Sequence, residues 1–103
     1  MLIARWSIDA RFGHKQEVIQ LLRKWLGDIG TPAGFDPRRT RLLTGSVGML
    51  EARVQAEHEI ASLDELEKVW DAIGRNPAHQ QWGKDLEPHV VSGTSRWEIL
   101  RVL

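Results

Sequence analysis

The stretch MLEARVQAEHEI, residues 49–60, decides how the rest of the chain is interpreted, because apolar and polar residues alternate along its whole length. Alternation with a period of two predicts a β-strand whose two faces meet different surroundings. A histidine shares the apolar face, and the other face is charged. We assign Leu50, Ala52, Val54, Ala56, His58 and Ile60 to the apolar face, and Glu51, Arg53, Gln55, Glu57 and Glu59 to the charged face.

Signals on both sides of this strand predict a hairpin before it and a helix after it. RTRLLTG, residues 39–45, is a short strand candidate, and the SVG that follows supplies a turn in which Gly45 and Gly48 have a structural reason to be glycine. SLDE, residues 62–65, is a capping box, in which Ser62 caps a helix and Glu65 returns a bond to the backbone.

The second helical segment is interrupted once and then resumes. Its apolar stripe runs to GRNP, residues 74–77, where Asn76 is suited to cap a helix and Pro77 to begin one. Ser92-Gly93 ends the segment. The stripe consists of Leu66, Val69, Trp70 and Ile73 before the break, and of Ala78, Trp82, Leu86 and Val90 after it.

The N-terminal part of the chain predicts a strand and a helix by the same criteria. Residues 2–9 alternate as a strand, and HKQEVIQLLRKWLGDIG, residues 14–30, is an amphipathic helix that Gly27 or Gly30 would end. TPAGFDP, residues 31–37, predicts a loop. The apolar positions are Leu2, Ala4, Trp6 and Ile8 in the strand, and Val18, Leu21, Leu22, Trp25 and Ile29 in the helix.

With TSRWEILRVL, residues 94–103, as a last strand, the order becomes strand, helix, strand, strand, helix, strand. This order predicts an α+β, ferredoxin-like βαββαβ fold with an antiparallel four-stranded sheet and both helices on one face. The length of 103 residues fits a single domain spanning 1–103. The other face of the sheet would carry Arg5, Arg53, Gln55, Glu57 and Arg96 or Glu98, exposed to solvent or packed against a second copy.

Composition excludes several classes of partner. The 14 basic and 14 acidic residues balance, so we expect no nucleic acid and no anionic membrane as a partner. RNA-recognition motifs share this topology, but they present aromatic residues where the third strand here has Arg53, Gln55 and Glu57. The chain has no cysteine, and no apolar run approaches the roughly 20 residues that span a bilayer. A cytoplasmic location is the default expectation.

Large rings and histidines supply the candidate site. The chain has five tryptophans and no tyrosine, and Trp6, Trp70 and Trp82 fall on faces that point between the helices and the sheet. Such a stripe is typical of core and also suits a pocket wall. His58 and His79 could converge with these rings as catalytic bases, or could be structural residues at element ends. The histidines lack metal-ligand spacing, so we expect no metal.

Three segments together resemble the dimeric α/β-barrel superfamily, and within it NIPSNAP-like and antibiotic-biosynthesis-monooxygenase-like proteins. They are RFGHKQEVIQLL, RLLTGSVGMLEARVQAEHEIASLDELEKVW and NPAHQQWGKDLEPHVVSGTSRWEIL. The resemblance implies a homodimer in which the open sheet faces of two subunits pack into a barrel. It also implies that a ligand would lie between the helices and the sheet.

Three functions follow from the resemblance. The first is binding of a small apolar or aromatic compound, and the alternatives are a cofactor-independent monooxygenase and a non-enzymatic dimerisation or accessory module. Heme-degrading relatives use an asparagine on the first strand with a tryptophan and a histidine on the second helix. Trp70 and His79 match the last two, but the first strand offers Arg5, Trp6 and Ser7. We therefore expect no heme and no other cofactor.

Overall fold

A computed structural model describes all residues, 1–103, and contains one sheet with helices on one side of it. The strands are β1 Leu2–Asp9, β2 Thr40–Thr44, β3 Arg53–Ile60 and β4 Arg96–Arg101. The helices are α1 Lys15–Trp25, α2 Thr31–Ala33, α3 Leu63–Gly74 and α4 Pro77–Leu86. A π-helical turn, Leu26–Gly30, joins α1 to α2, and the short 3-10 helices are Pro37–Arg39 and Glu87–His89.

The sheet has the strand order β2-β3-β1-β4, with every neighbouring pair antiparallel. In its central register, Trp6 of β1 lies opposite Ala56 of β3 on one side and Trp97 of β4 on the other. This order and the helices between the strands confirm the predicted α+β, ferredoxin-like architecture.

The first helical segment extends further than predicted. Neither Gly27 nor Gly30 ends it, since the chain passes through the π-helical turn into α2 and stops at Gly34, which has a φ of +128°. Gly30 is needed not to end the helix but to make room for a neighbouring side chain. A Cβ there would lie 2.7 Å from Cζ3 of Trp25, so Gly30 lets the indole pack against the backbone.

The strand predicted for residues 49–60 is shorter than expected. β3 starts at Arg53, and residues 49–52 belong to the connection from β2 rather than to the strand. Gly48 has a φ of +81°, and a side chain on Gly45 would overlap the Leu50 carbonyl group. Residues 49–52 therefore do not form a strand despite their alternating pattern, because the chain makes a tight turn here that requires glycine at positions 45 and 48.

The predicted helix caps form as hydrogen bonds. Ser62 Oγ accepts from the Glu65 N–H at 3.2 Å, and the Glu65 carboxylate accepts from the Ala61 N–H, one residue before the cap. Asn76 Oδ1 accepts from the Ala78 N–H at 3.0 Å and starts α4. These caps fix α3 and α4 as two helices with a bend between them.

The core lies between the helices and one face of the sheet. No helix is long and apolar enough to cross a bilayer. The core residues are Ala4, Ile8, Ala10, Val18, Leu22, Trp25, Ile29, Phe35, Val54, Ala56, Ile60, Leu66, Val69, Ile73, Trp82, Leu86 and Val90.

The other face of the sheet carries a row of alternating charges across all four strands, Arg41, Glu57, Arg5 and Glu98. Glu57 is only 6 % exposed, and its oxygens accept hydrogen bonds from Arg5 Nε at 2.8 Å and Arg41 Nε at 2.9 Å. Burial alone would raise the pKa of Glu57, but the two arginines outweigh burial and hold it below its ordinary value.

Candidate functional site

A cavity of about 850 Å³ lies between the helices and the sheet. It is of the size that holds small molecules in other proteins. All five tryptophans of the chain line it, together with His58 and His79. The five residues predicted for the site, Trp6, His58, Trp70, His79 and Trp82, therefore lie around a single space. Their roles as bases or ligand contacts stay predictions.

The tryptophan rings form two groups in the cavity wall. Trp82 packs against Trp25 and Trp6, with ring centres 5.9 Å and 6.4 Å away. Trp70 packs edge to face against Trp97 with a centre distance of 5.4 Å. Mixed tilted and edge contacts of this kind leave indole faces available to a further ring.

Trp70 differs from its predicted place in a buried stripe, because it is 38 % exposed. On α3, Leu66, Val69 and Ile73 already fill the positions that face the core. Trp70 follows Val69 by one residue, which turns its side chain about 100° around the helix and toward the cavity rim.

The indole N–H groups of the inner tryptophans are all bound within the protein. Trp6 Nε1 donates to Ser95 Oγ at 2.9 Å, and Trp82 Nε1 donates to the Leu21 carbonyl at 2.7 Å. Trp25 Nε1 donates to His79 Nδ1 at 3.0 Å. These bonds hold the rings in place and leave their apolar faces as the wall.

His58 is the most enclosed polar group in the cavity wall, with 1 % of its surface exposed. Its ring is stacked on Phe35 at a centre distance of 3.7 Å, and its Nδ1 lies 2.9 Å from Thr40 Oγ1. Its Nε2 is the one buried side-chain nitrogen or oxygen in the protein without a hydrogen-bond partner. Burial lowers the pKa of His58 from 6.5 to about 4, so the ring is neutral at pH 7.

His79 lies in the first turn of α4 and is half-buried. Its ring is nearly parallel to that of Trp82, with centres 6.1 Å apart, and its Nδ1 receives the Trp25 N–H. Burial lowers the pKa of His79 as well, which favours the neutral imidazole.

The remaining polar groups lie toward the rim of the cavity. Arg11 and Glu87 bring opposite charges there, and Arg11 Nε donates to the Val90 carbonyl at 3.1 Å. No group of three or more histidine, aspartate or glutamate side chains is arranged to hold a metal ion. His14 and His89 approach each other with Nδ1 atoms 2.9 Å apart, but neither lines the cavity.

Sequence reasoning missed Trp97 and Thr40. The alternation of β4 could have revealed Trp97, because placing Arg96 and Glu98 on the open face puts the residue between them toward the helices. Nothing in the sequence indicates Thr40, whose contact with His58 depends on the register between β2 and β3.

Comparisons with known proteins give structural neighbours at low sequence identity. No family model and no curated protein matches the chain. A NIPSNAP family protein from Agrobacterium tumefaciens is 20 % identical, with 99 % of this chain and 92 % of that chain covered and a TM-score of 0.78. A putative antibiotic biosynthesis monooxygenase from Nitrosomonas europaea is 8 % identical, with 100 % and 99 % covered and a TM-score of 0.70.

A third solved structure is SnoaB, a cofactor-independent oxygenase from Streptomyces nogalater. It is 13 % identical, with 98 % of this chain and 91 % of that chain covered and a TM-score of 0.68. At such identities the likeness shows the fold and not the activity. The chain therefore has the fold that NIPSNAP proteins share with antibiotic-biosynthesis-monooxygenase-like proteins, and the resemblance in its sequence is confirmed at that level.

Proposed function

We propose that the protein binds a small apolar or aromatic compound in the cavity between its helices and its sheet. The observation that carries this proposal is the 850 Å³ space walled by five indole rings. Trp6, Trp70 and Trp82 would contact the ligand, because their rings supply flat apolar faces on both sides of the space. A NIPSNAP-like protein with this cavity is a binding protein first, whether or not it also turns its ligand over.

Narrowing the cavity tests this proposal. Gly83 lies in α4 at the cavity wall, and a Cβ there meets open space. A phenylalanine would lean back over the preceding turn, toward His79, and reduce the volume that a ligand can fill. Gly27 offers the matched control, since a Cβ there also meets open space and the residue does not line the cavity.

We expect Gly83→Phe to weaken binding of 2-naphthol by at least about tenfold and Gly27→Phe to leave it unchanged. Quenching of tryptophan fluorescence measures this binding directly, because the cavity holds all five tryptophans. Native mass spectrometry of the purified protein is the complementary search for a retained compound. Equal affinities of the two variants for 2-naphthol, or no binding of any aromatic compound of this size, would contradict the proposal.

Cofactor-independent oxygenation is the second candidate, and the unpartnered nitrogen of His58 favours it. In this reaction His58 takes a proton from the bound substrate through its unpartnered nitrogen, and molecular oxygen adds to the resulting carbanion to give a hydroperoxide. A base with a pKa of about 4 accepts a proton readily only from an acidic substrate, such as an enol or a phenol with electron-withdrawing groups. Oxygen uptake with such a compound, abolished by His58→Asn, separates turnover from binding alone.

We propose that the partner of the chain is a second copy, packed against the open face of the sheet. That face combines the charged row with partly exposed leucines, Leu43 and Leu100, which suits a self-complementary contact. Sedimentation equilibrium tests this, with Leu43→Arg and Leu100→Arg expected to give monomers. Leu63→Arg, at an exposed position of α3 on the other side of the sheet, is the control. A dimer that binds no aromatic compound would leave the accessory module as the function.

A further inference from the structure

The hydrogen bonds around His58 determine which of its nitrogens carries the proton. The Thr40 hydroxyl has a single hydrogen and donates it to the Asp36 carbonyl at 2.9 Å. Thr40 Oγ1 can therefore only accept from His58 Nδ1, which lies 2.9 Å away. The neutral ring then has its proton on Nδ1 and a lone pair on Nε2, the nitrogen that has no partner.

The hydrogen bond between Trp25 and His79 determines the opposite arrangement. An indole N–H can only donate, so His79 Nδ1 must be the acceptor of the 3.0 Å bond. The neutral ring then carries its proton on Nε2. This nitrogen makes no hydrogen bond within the protein and, unlike His58 Nε2, is not closed off from solvent.

We infer that Thr40 and Trp25 are positioning residues that hold the two cavity histidines in opposite neutral tautomers, so that His58 offers a lone pair and His79 an N–H to the same ligand. The inference deepens the proposed binding function and rests on it. It names the ligand class as a flat aromatic compound that carries one hydrogen-bond donor and one acceptor. Left unpaired, these two nitrogens would disfavour a plain hydrocarbon in the same space.

Access to the two nitrogens differs. His79 Nε2 is open to a ligand in the empty cavity, whereas His58 Nε2 has no exposed surface. Of the two rings beside His58, Phe35 lies outside the cavity lining and Trp97 lies within it at a centre distance of 6.3 Å. Trp97 is 37 % exposed, so part of its ring is not packed against the protein. Pairing of a ligand donor with His58 therefore requires this indole to move aside.

Imidazole nitrogen chemical shifts at pH 7.5 test the tautomers without any ligand. In the wild-type protein we expect protonated Nδ1 and bare Nε2 in His58, and the reverse in His79. Thr40→Val removes the acceptor for the His58 proton and should move His58 toward the other tautomer, while His79 stays unchanged. Trp25→Phe removes the donor to His79 Nδ1, so His79 should become a mixture of both tautomers while His58 stays unchanged. The same tautomer in both wild-type histidines overturns the inference, even if a variant fails to fold.

Two pairs of ligands test the consequence for binding. 2-Naphthol and 2-methoxynaphthalene both have an acceptor oxygen and differ in a donor, and 2-acetylnaphthalene and 2-isopropenylnaphthalene differ in an acceptor. Asparagine is the informative substitution, because its amide can keep the bond to Thr40 or to Trp25 while no atom remains at Nε2. We expect His58→Asn to lower the naphthol to methoxynaphthalene affinity ratio about fivefold, and His79→Asn to lower the ketone to alkene ratio about fivefold.

Each variant should leave the other ratio unchanged, and His14→Asn, outside the cavity, should change neither. If all four compounds bind and the ratios do not respond in this crossed pattern, the inference is overturned and the proposed binding function stands. If the tautomers are as stated but none of the four compounds binds, the proposed function fails and the ligand class falls with it.

Discussion

Glu57 and His58 are consecutive residues of β3 that lie on opposite faces of the sheet, and both are almost fully buried. Glu57 is held charged by Arg5 and Arg41, whereas His58 has one neutral hydrogen bond and an unpartnered nitrogen. Both pKa values lie below their ordinary range, yet one shift keeps a charge and the other removes one. Burial disfavours the charged form of both groups, and only Glu57, which has charged partners, keeps its charge.

The difference matters for function because only one of the two faces has a group left unsatisfied. The open face pairs its buried carboxylate within the subunit, so this charge makes no demand on a ligand. The helix-covered face leaves His58 Nε2 without a partner beside a cavity. An unpaired buried acceptor costs stability, and a ligand that supplies a donor recovers it.

Lowering the pH should reduce the free energy of unfolding, and His58 should contribute the largest single effect. Its folded pKa of about 4 lies below the ordinary 6.5, so the unfolded chain binds the proton more readily. The stabilisation is complete above pH 6.5 and is lost as the pH falls toward 4, by about 3 kcal/mol in all. Urea unfolding at several pH values measures this.

The matched measurement is the same series with His58→Asn. The unfolding free energy of this variant should decline less between pH 6.5 and pH 4. Its carboxylates still titrate, but it has no buried imidazole that takes up a proton on unfolding. Parallel curves for the two proteins would show that His58 is not held neutral by burial.

Glu57→Gln should cost about 2 kcal/mol, because the amide keeps one acceptor oxygen for two arginines, places an NH2 donor against the other, and removes the negative charge that both arginines face. Chemical unfolding at pH 7 measures the change. Glu59→Gln is the control, since Glu59 lies on the same face of β3, exposed and without an ion pair, and should stay within about 0.5 kcal/mol of wild type. A loss at Glu59 as large as at Glu57 would mean that net charge, not pairing, matters.

Alternation along β3 was enough to predict this division between the faces. The period-two pattern places Glu57 and His58 on opposite sides whatever the rest of the chain does, and the sheet order follows from the sequence of elements. Local signals at Ser62 and Asn76 likewise predicted helix starts that the structure has.

The contacts that set the chemistry of the site could not be predicted in this way. The bond from Trp25 to His79 joins residues 54 positions apart, and the contact of Thr40 with His58 depends on a strand register. Whether the tryptophans close up into a core or leave a space depends on how side-chain volumes sum across several elements. The periodicity of the sequence does not show whether the side chains fill the space between the helices and the sheet.

The two arginines around Glu57 sharpen the comparison within the open face itself, and their replacement should give the smallest effects. The side chain of Arg5 is 29 % exposed and that of Arg41 is 69 % exposed. In the monomer, which Leu43→Arg is expected to give, solvent screens the outer pair more, so there Arg5→Met should cost about 1 kcal/mol and Arg41→Met about 0.5 kcal/mol or less. Urea unfolding of the two variants at low and high salt measures both, with salt narrowing the difference. A larger loss for Arg41 than for Arg5 in the monomeric Leu43→Arg background would contradict this order, whereas the same result in the wild-type background alone would show that a second copy covers Arg41.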